Sequence, residues 1–186
     1  MQRFPNIDGD KLAAAGASYG GYMATWILGH TDRFKATVNH AGVTNSYSQY
    51  ATDGPHGWPF VMGGSPWENV EGLQRNNPMF YAKNFKTPTL IIAGEQDYRV
   101  PYYQALELYN VLQARDVPSR LVVFPDENHW VLKPQNAIHW HWEMQDWLAR
   151  HIGGKPTLEK PKFESKDEKK DDDAKKDAPK SADAQN

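Results

Sequence analysis

The chain has 186 residues, a formal net charge of −2 and no cysteine, and its length is typical of a single domain. The absence of cysteine excludes disulfide bonds, thiol catalysis and cysteine-bound zinc. The nearly balanced charge gives no sign of a nucleic acid or an anionic membrane as a partner. No apolar stretch is long enough to span a bilayer, and the first residues lack the pattern of a signal peptide, so the compartment stays open.

Short apolar runs alternate with longer helical segments along the chain. Apolar runs bounded by glycine or proline favour strands that are buried in a parallel sheet. The predicted elements are a strand at 11–15, a glycine-rich turn at 16–21, a helix at 20–30, a strand at 36–39, a loop-rich region with short helices at 42–78, a strand at 89–93, a helix at 101–114, a strand at 121–124 and a helix at 134–150. This alternation predicts an α/β fold, with helices on both faces of a mainly parallel sheet.

The glycine-rich turn holds the first candidate for chemistry. Gly16-Ala17-Ser18-Tyr19-Gly20 matches the pattern Gly-x-Ser-x-Gly between a predicted strand and a predicted helix. A nucleophilic serine in this setting sits on a sharp strained turn, where small neighbours let the strand and the helix approach closely. The turn also places the Tyr19 backbone N–H at a helix N-terminus, where it can stabilise an oxyanion. We interpret Ser18 as the nucleophile; a purely structural strand–helix turn is the alternative.

A serine hydroxyl needs a base to take its proton and an acid to orient that base. In this architecture the three residues follow in the order Ser, Asp or Glu, His, each after a strand. Asp97 follows the predicted strand 89–93, and His129 follows the predicted strand 121–124. Because the carboxyl ends of parallel strands open into one crevice, we predict that Asp97 and His129 are the acid and the base.

Other titratable residues leave alternatives open. Three further carboxylates lie near the predicted acid and base in the sequence: Glu95, Asp126 and Glu127. They are either solvated charges in loops, or one of them is the acid in place of Asp97. The remaining histidines have no ligand spacing, and no metal is predicted. His139 and His141 are two residues apart on a helix and do not share a face. We interpret three further histidines as structural or surface residues, because no nearby residues form a catalytic or metal-binding motif with them: His40, His56 and His151.

Four separated segments together resemble the prolyl oligopeptidase family of serine peptidases, especially its dipeptidyl-peptidase and acylaminoacyl-peptidase branches. They are Gly-Ala-Ser-Tyr-Gly-Gly-Tyr-Met at 16–23, Gly-Gly-Ser-Pro-Trp-Glu at 63–68, Thr-Pro-Thr-Leu-Ile-Ile-Ala-Gly-Glu-Gln-Asp-Tyr-Arg-Val-Pro at 87–101 and Phe-Pro-Asp-Glu-Asn-His-Trp-Val at 124–131. The resemblance covers roughly residues 8–152. It implies an α/β-hydrolase fold, the same triad and a peptide substrate, with neither a metal nor an organic cofactor.

The resemblance also implies substrate-binding residues. Arg99 would bind a backbone carbonyl of the substrate near the scissile bond, since its guanidinium offers a fork of donors; a surface salt bridge is the alternative. Val43, Tyr47 and Val100 would line the pocket for the residue before the cut, although the loop after Val43 follows no fixed pattern.

The resemblance further implies parts that precede the nucleophile strand in the family, namely a β-propeller, earlier strands and the second oxyanion donor. We therefore expect residues 1–153 to form the C-terminal part of an α/β-hydrolase domain, as a fragment of a longer enzyme. The nucleophile strand would then lie at an exposed edge of the sheet. Such an edge invites pairing or aggregation, so a homo-oligomer is possible. Residues 154–186 are mostly Lys, Asp, Glu, Ala and Pro, a composition that predicts a disordered tail.

The sequence is compatible with three functions. The first is a serine peptidase that cleaves short peptides through an acyl-enzyme. The second is a carboxylesterase with the same fold and triad, because a fold alone does not decide the substrate. The third is a non-catalytic remnant that needs a partner to complete its sheet. The sequence leaves the cleavage-site preference, the exo- or endopeptidase mode and the oligomeric state undecided.

Overall fold

The computed structural model describes residues 4–53 and 58–162. Its centre is a four-stranded parallel sheet in the order β1-β2-β3-β4, so each strand lies beside its neighbour in sequence. The strands are β1 (Ala13–Ala17), β2 (Ala36–His40), β3 (Thr89–Gly94) and β4 (Ser119–Phe124). The helices are α1 (Tyr19–His30), α2 (Ser46–Asp53), α3 (Trp58–Met62), α4 (Val70–Asn76), α5 (Tyr103–Ala114) and α6 (Pro134–Ile152), with a 3₁₀ segment at Pro78–Asn84.

Strand β3 shows how the sheet acquires helices on both faces. All six of its residues are buried, as expected for a central strand of a parallel sheet. Ile91 packs with Leu28 of α1 and Leu108 of α5 on one face. Leu90, the neighbour of Ile91, packs with Trp147 of α6 on the other face. This arrangement confirms the predicted α/β fold and its two helical layers.

Strand β1 differs from the strand that the apolar run predicted. Its residues are half-buried or exposed, and Ala15 and Ala17 are both exposed. The physical reason is its position: within the described residues β1 pairs only with β2. The prediction that this strand is buried is therefore wrong for the chain as described, whereas its predicted place at an edge agrees with the sheet order.

Several element bounds move by about two residues from their predicted positions. Strand β1 starts at Ala13 because the Lys11 N–H donates to the Asp8 carbonyl and closes a turn. Helix α5 starts at Tyr103, and Pro101 lies in the turn before it, accepting from the Gln104 N–H. Such shifts are ordinary, because hydrogen bonds rather than side-chain pattern fix the ends of an element.

The last described residues return along α6 without forming a helix or a strand. The Thr157 N–H and hydroxyl both donate to the Gln145 side-chain oxygen, at 2.7 and 2.9 Å. The Lys160 ammonium lies over the Trp142 ring at 5.5 Å. The greater part of the predicted disordered tail, residues 163–186, lies outside the described residues. Among the helices that are described, none combines the length and the apolar character that crossing a bilayer requires.

Candidate active site

The turn between β1 and α1 holds Ser18 in a strained backbone conformation. Its φ is 57° and its ψ is −119°, a region that a residue with a side chain rarely adopts. Two hydrogen bonds hold the turn: the Ser18 N–H donates to the His40 carbonyl at 2.9 Å, and the Ser18 carbonyl accepts from the Tyr22 N–H at 3.0 Å. Tyr19 opens α1, where the first N–H groups have no acceptor within the helix.

Two of the glycines around Ser18 are required by close backbone contacts. A Cβ on Gly16 would lie 2.1 Å from the Gly20 carbonyl oxygen, and a Cβ on Gly21 would lie 2.5 Å from the Gly42 Cα. A Cβ on Gly20 would meet nothing within 4 Å. The close approach that the sequence pattern predicted is therefore carried by Gly16 and Gly21.

A buried asparagine at the end of β2 ties the nucleophile turn to the following loop. Asn39 is 1% exposed. Its amide nitrogen donates to the Gly21 carbonyl at 3.0 Å and to the Thr25 hydroxyl at 2.7 Å. Its side-chain oxygen accepts from the Gly42 N–H at 3.0 Å. All of its polar groups are paired, so Asn39 fixes the start of α1 against the loop that carries Val43.

Asp97 and His129 meet in a buried pair at the carboxyl end of the sheet. His129 Nδ1 lies 2.7 Å from Asp97 Oδ2, and the side chains are 9% and 0% exposed. The other carboxylate oxygen of Asp97 accepts from the N–H groups of Arg99 and Val100, both at 2.9 Å. Three donors thus hold the carboxylate, and the carboxylate in turn orients the imidazole.

The Ser18 hydroxyl makes no hydrogen bond within residues 4–53 and 58–162. Hydrogen bonds between catalytic groups are often long in a free enzyme and tighten only when substrate binds. His40 links the two parts of the site: its carbonyl accepts from the Ser18 N–H, and its ring lies within electrostatic range of His129. Burial, followed by the nearby His129, lowers the pKa of His40 to about 4, so His40 is neutral at pH 7.

The three alternative carboxylates do not contact His129. Glu95 is exposed, and Asp126 forms an ion pair with Lys133 at 2.6 Å. Glu127 is buried and accepts from the N–H groups of Leu132 and Lys133, at 3.1 and 2.9 Å. Glu127 therefore braces the loop that carries His129, and of the four carboxylates only Asp97 is in position to orient the imidazole.

The predicted substrate-binding residues separate into a buried pair and an exposed pair. Val43 and Val100 are 2% and 4% exposed and share an apolar cluster with Tyr22. Tyr47 is 55% exposed on α2. The Arg99 side chain is exposed, and within the described chain its guanidinium forms neither an ion pair nor a hydrogen bond, which argues against the surface salt bridge.

Three further histidines lie on α6, outside the loop that carries His129. His139 contacts Glu143 at 3.0 Å, and His141 is exposed. Burial, followed by Arg150 and Arg120, lowers the pKa of His151. His56 lies outside the described residues. No three histidine, aspartate or glutamate side chains of the described ranges cluster as metal ligands would.

Sequence patterns missed the polar side chains that support the site. Asn39, Gln49 and Gln104 are each about 1% exposed, and Glu127 is 4% exposed. Their sequence signal is weak, because a polar residue in a loop or helix usually faces water. Only the tertiary contacts show that these residues are buried and hydrogen-bonded, with the Gln49 side-chain oxygen left without a partner among the described residues.

Comparisons with known proteins agree with this architecture. The profile of the prolyl oligopeptidase family matches residues 1–155. Dipeptidyl-peptidase 5 of Schizosaccharomyces pombe is 43% identical over 147 residues, which cover 77% of this chain and 22% of that protein. Dipeptidyl-peptidase 5 of Porphyromonas gingivalis is 42% identical over 158 residues, which cover 82% of this chain and 23% of that protein.

A solved structure shows the same fold. The acylaminoacyl peptidase of Pyrococcus horikoshii, in an orthorhombic crystal form, superposes with a TM-score of 0.77 at 29% identity, over 87% of this chain and 27% of that chain. The present chain thus spans between a fifth and about a quarter of the relatives that it matches. The extent of the family match, together with the fold, shows that the chain belongs to the prolyl oligopeptidase family.

Proposed function

We propose that the chain carries the catalytic triad of a serine peptidase, with Ser18 as nucleophile, His129 as base and Asp97 as the acid that orients the base. The observation that carries this proposal is the buried hydrogen bond of 2.7 Å between His129 Nδ1 and Asp97 Oδ2. This pair and the strained Ser18 turn both follow the carboxyl ends of parallel strands, at the same end of the sheet. Acyl transfer needs an oriented imidazole and a serine held on such a turn, and the proposal is that substrate binding brings His129 and Ser18 together.

The reaction follows from these positions. Ser18 Oγ forms a bond to the carbonyl carbon of the substrate while His129 Nε2 takes the hydroxyl proton. The carbon–nitrogen bond then breaks as His129 gives that proton to the leaving amine, and Ser18 is left as an ester. Water adds to the ester carbon, again with proton transfer through His129, and the acid product and the free serine are released.

Charge that develops on the substrate also needs a partner. The carbonyl oxygen becomes negative when Ser18 attacks, and the Tyr19 N–H at the start of α1 is the donor that we assign to it. Asp97 stabilises the imidazolium that forms on His129 in the same step. Loss of one oxyanion donor typically slows such a reaction by about 10²–10³-fold, so the number of donors available to this chain bears directly on its rate.

For the substrate we propose a short peptide. The support is the family membership and the name dipeptidyl-peptidase that the two curated relatives carry. Arg99, whose exposed guanidinium has no partner among the described residues, would hold a backbone carbonyl of the peptide. Val43 and Val100 would form the buried base of the pocket for the residue before the cut, and Tyr47 its exposed rim. Release of dipeptides is the mode to test first.

A second candidate is that this chain acts only when another segment completes its sheet. Strand β1, which precedes the nucleophile, pairs on one side only within the described residues. We therefore propose that the chain is part of a longer peptidase, whose further strands would cover this edge and whose loops would supply a second oxyanion donor.

The first test is labelling of the purified chain with a fluorophosphonate, which reacts with an activated serine of any specificity. Ser18→Ala is the matched control. We expect labelling that Ser18→Ala abolishes. Labelling that persists in Ser18→Ala would overturn the assignment of the nucleophile. A folded chain without labelling would favour the second candidate, and co-expression with the upstream segment of a full-length relative would then restore labelling.

A substrate comparison separates a peptidase from a carboxylesterase. Unlabelled chain, from a preparation shown to react with the fluorophosphonate, is given an aminoacyl-prolyl or alanyl-alanyl anilide and, under identical conditions, an aryl ester. A peptidase cleaves both, because esters are the more reactive acyl donors, whereas turnover of the ester without any amide cleavage would contradict peptidase activity. Arg99→Ala is expected to raise KM for the peptide with a smaller effect on the ester.

A further inference from the structure

Two buried glutamine amides connect the two walls of the candidate active site. One wall is the segment from Val43 through α2. The other is the turn from Asp97 to Val100 with the start of α5. Gln49 of α2 and Gln104 of α5 are each 1% exposed, and the side chain of each crosses from its own wall to the opposite one.

Gln49 reaches the turn that carries the acid. Its amide nitrogen donates to the Arg99 carbonyl at 2.8 Å. That turn is closed by Asp97 itself, whose carboxylate accepts from the Arg99 and Val100 N–H groups. The Gln49 bond therefore fixes the outer side of the turn whose inner side holds Asp97 against His129.

Gln104 reaches the opposite way and binds the residues that lead into α2. Its side-chain oxygen accepts from the N–H groups of Thr44 and Asn45, both at 2.8 Å. Its amide nitrogen donates to the Asn45 carbonyl at 3.2 Å and to the Ser48 hydroxyl at 2.9 Å. Each polar atom of this amide is paired, so the loop after Val43 has one position relative to α5.

We propose that Gln49 and Gln104 are positioning residues, which set the separation of the two pocket walls and the orientation of Asp97 toward His129. The inference rests on the proposed function and adds two residues to its site. Neither amide touches the reacting atoms; both act through the backbone of the loops. Loss of either amide would leave backbone groups of the opposite loop without their hydrogen-bond partners. Because unpaired buried polar groups are costly, we expect the loop to move so that these groups find other partners.

The test uses Gln49→Met, which keeps a similar volume and removes the donor, and Gln49→Glu, which keeps the shape and cannot donate when ionised. Gln113→Met is the matched control, because Gln113 is an exposed residue of α5 whose amide donates to the Ser119 hydroxyl. Two readouts are compared: the far-downfield proton resonance of the His129–Asp97 hydrogen bond, and the rate of fluorophosphonate labelling.

We expect both Gln49 variants to shift or broaden the downfield resonance and to slow labelling at least about tenfold, since small misplacements of catalytic groups are costly. Gln113→Met should change neither. A folded Gln49 variant with an unchanged resonance would overturn the proposal. Collapse of the whole fold in both Gln49 variants would also overturn it, because Gln49 would then be a general structural residue.

The downfield resonance tests the positioning role of Gln49 independently of the proposed peptidase activity. It reports the His129–Asp97 bond whether or not the chain reacts with the fluorophosphonate. If the unmodified chain shows the resonance but no labelling, the proposed activity of this chain fails, while the effect of Gln49 on the bond is still measured. Gln104→Met should lower kcat/KM for an anilide through a higher KM, since Gln104 holds the segment after Val43 that we propose as a pocket wall. An unchanged KM would contradict the positioning role of Gln104.

Discussion

At the scale of single residues, the site depends on backbone strain held in place by neighbours. Ser18 has a positive φ, which costs on the order of 1–3 kcal/mol for a residue with a side chain. The His40 carbonyl and the Tyr22 N–H secure the turn from both sides. The pattern around Ser18 predicts the turn, but only the packing shows which glycines it requires.

Gly16→Ala and Gly20→Ala form a matched pair that tests this packing. The Gly16 Cβ would collide with the Gly20 carbonyl, whereas the Gly20 Cβ would enter open space. We expect Gly16→Ala to lower the free energy of unfolding by about 1–3 kcal/mol or more. Gly20→Ala should leave it unchanged or raise it by up to about 1 kcal/mol, because alanine favours a helix. Urea denaturation measures both; equal effects would contradict the contact.

Glu127 supports a prediction on pH. Burial raises its pKa, but hydrogen bonds from the Asn136 side chain and from the Leu132 and Lys133 N–H groups outweigh burial, so its pKa lies below the ordinary 4.5. A carboxyl with a lowered folded pKa stabilises the fold fully above its unfolded pKa and loses this contribution as the pH falls through the folded pKa.

Glu127→Gln should therefore lower the free energy of unfolding by about 1–3 kcal/mol at pH 7. The difference in the free energy of unfolding between the unmodified chain and the variant, called the gap below, should narrow as the pH falls below 4.5. Urea denaturation at a series of pH values measures this gap. Glu95→Gln, at an exposed position, is the control and should show no gap. A gap of constant size would contradict the ionic role of Glu127.

At the scale of elements, alternation along the central strands decides which helix covers which face. Ile91 and Ala93 face α1 and α5, and Leu90 and Ile92 face α6. The sequence does not show which residues face which helix, because every position of such a strand is apolar. The three longer helices, α1, α5 and α6, were predictable from sequence, since apolar periodicity and nearby Gly or Pro mark them. Helices α2, α3 and α4 were predicted only as short helices without bounds in a loop-rich region.

Leu108 is the element-scale test, since it joins α5 to the sheet and is 0% exposed. Leu108→Ala should lower the free energy of unfolding by about 2–5 kcal/mol, through lost burial and the cavity left behind. Asn110→Ala, two residues further along α5 at an exposed position, should change it by less than about 0.5 kcal/mol. A similar loss in both variants would show that α5 is not docked through Leu108.

At the scale of the whole molecule, the sheet of the described chain ends at β1. This strand consists of alanine and glycine, with Ala15 and Ala17 exposed and no charged residue within it. An apolar edge without charges is a template for another strand. The relatives that match the chain are four to five times as long as the part they share with it, as their covered fractions of 22% and 23% show.

We therefore expect the isolated chain to self-associate through β1. Ala15→Lys places a charge on the exposed edge strand and should shift the chain toward monomer. Ala114→Lys, at the exposed end of α5, is the control and should leave the association unchanged. Sedimentation velocity at several protein concentrations measures the shift; equal behaviour of the two variants would rule out β1 as the contact.

The element order, the α/β class and the candidate triad could be predicted from the sequence, because they depend on local patterns: apolar runs, helix ends and residues that follow strands. The remaining features depend on contacts between distant segments. Asp97 rather than Glu95, Asp126 or Glu127 meets His129, since that choice depends on how the loops after β3 and β4 fold against each other. The buried amides of Asn39, Gln49 and Gln104 likewise depend on contacts between distant segments, and no local pattern records such contacts.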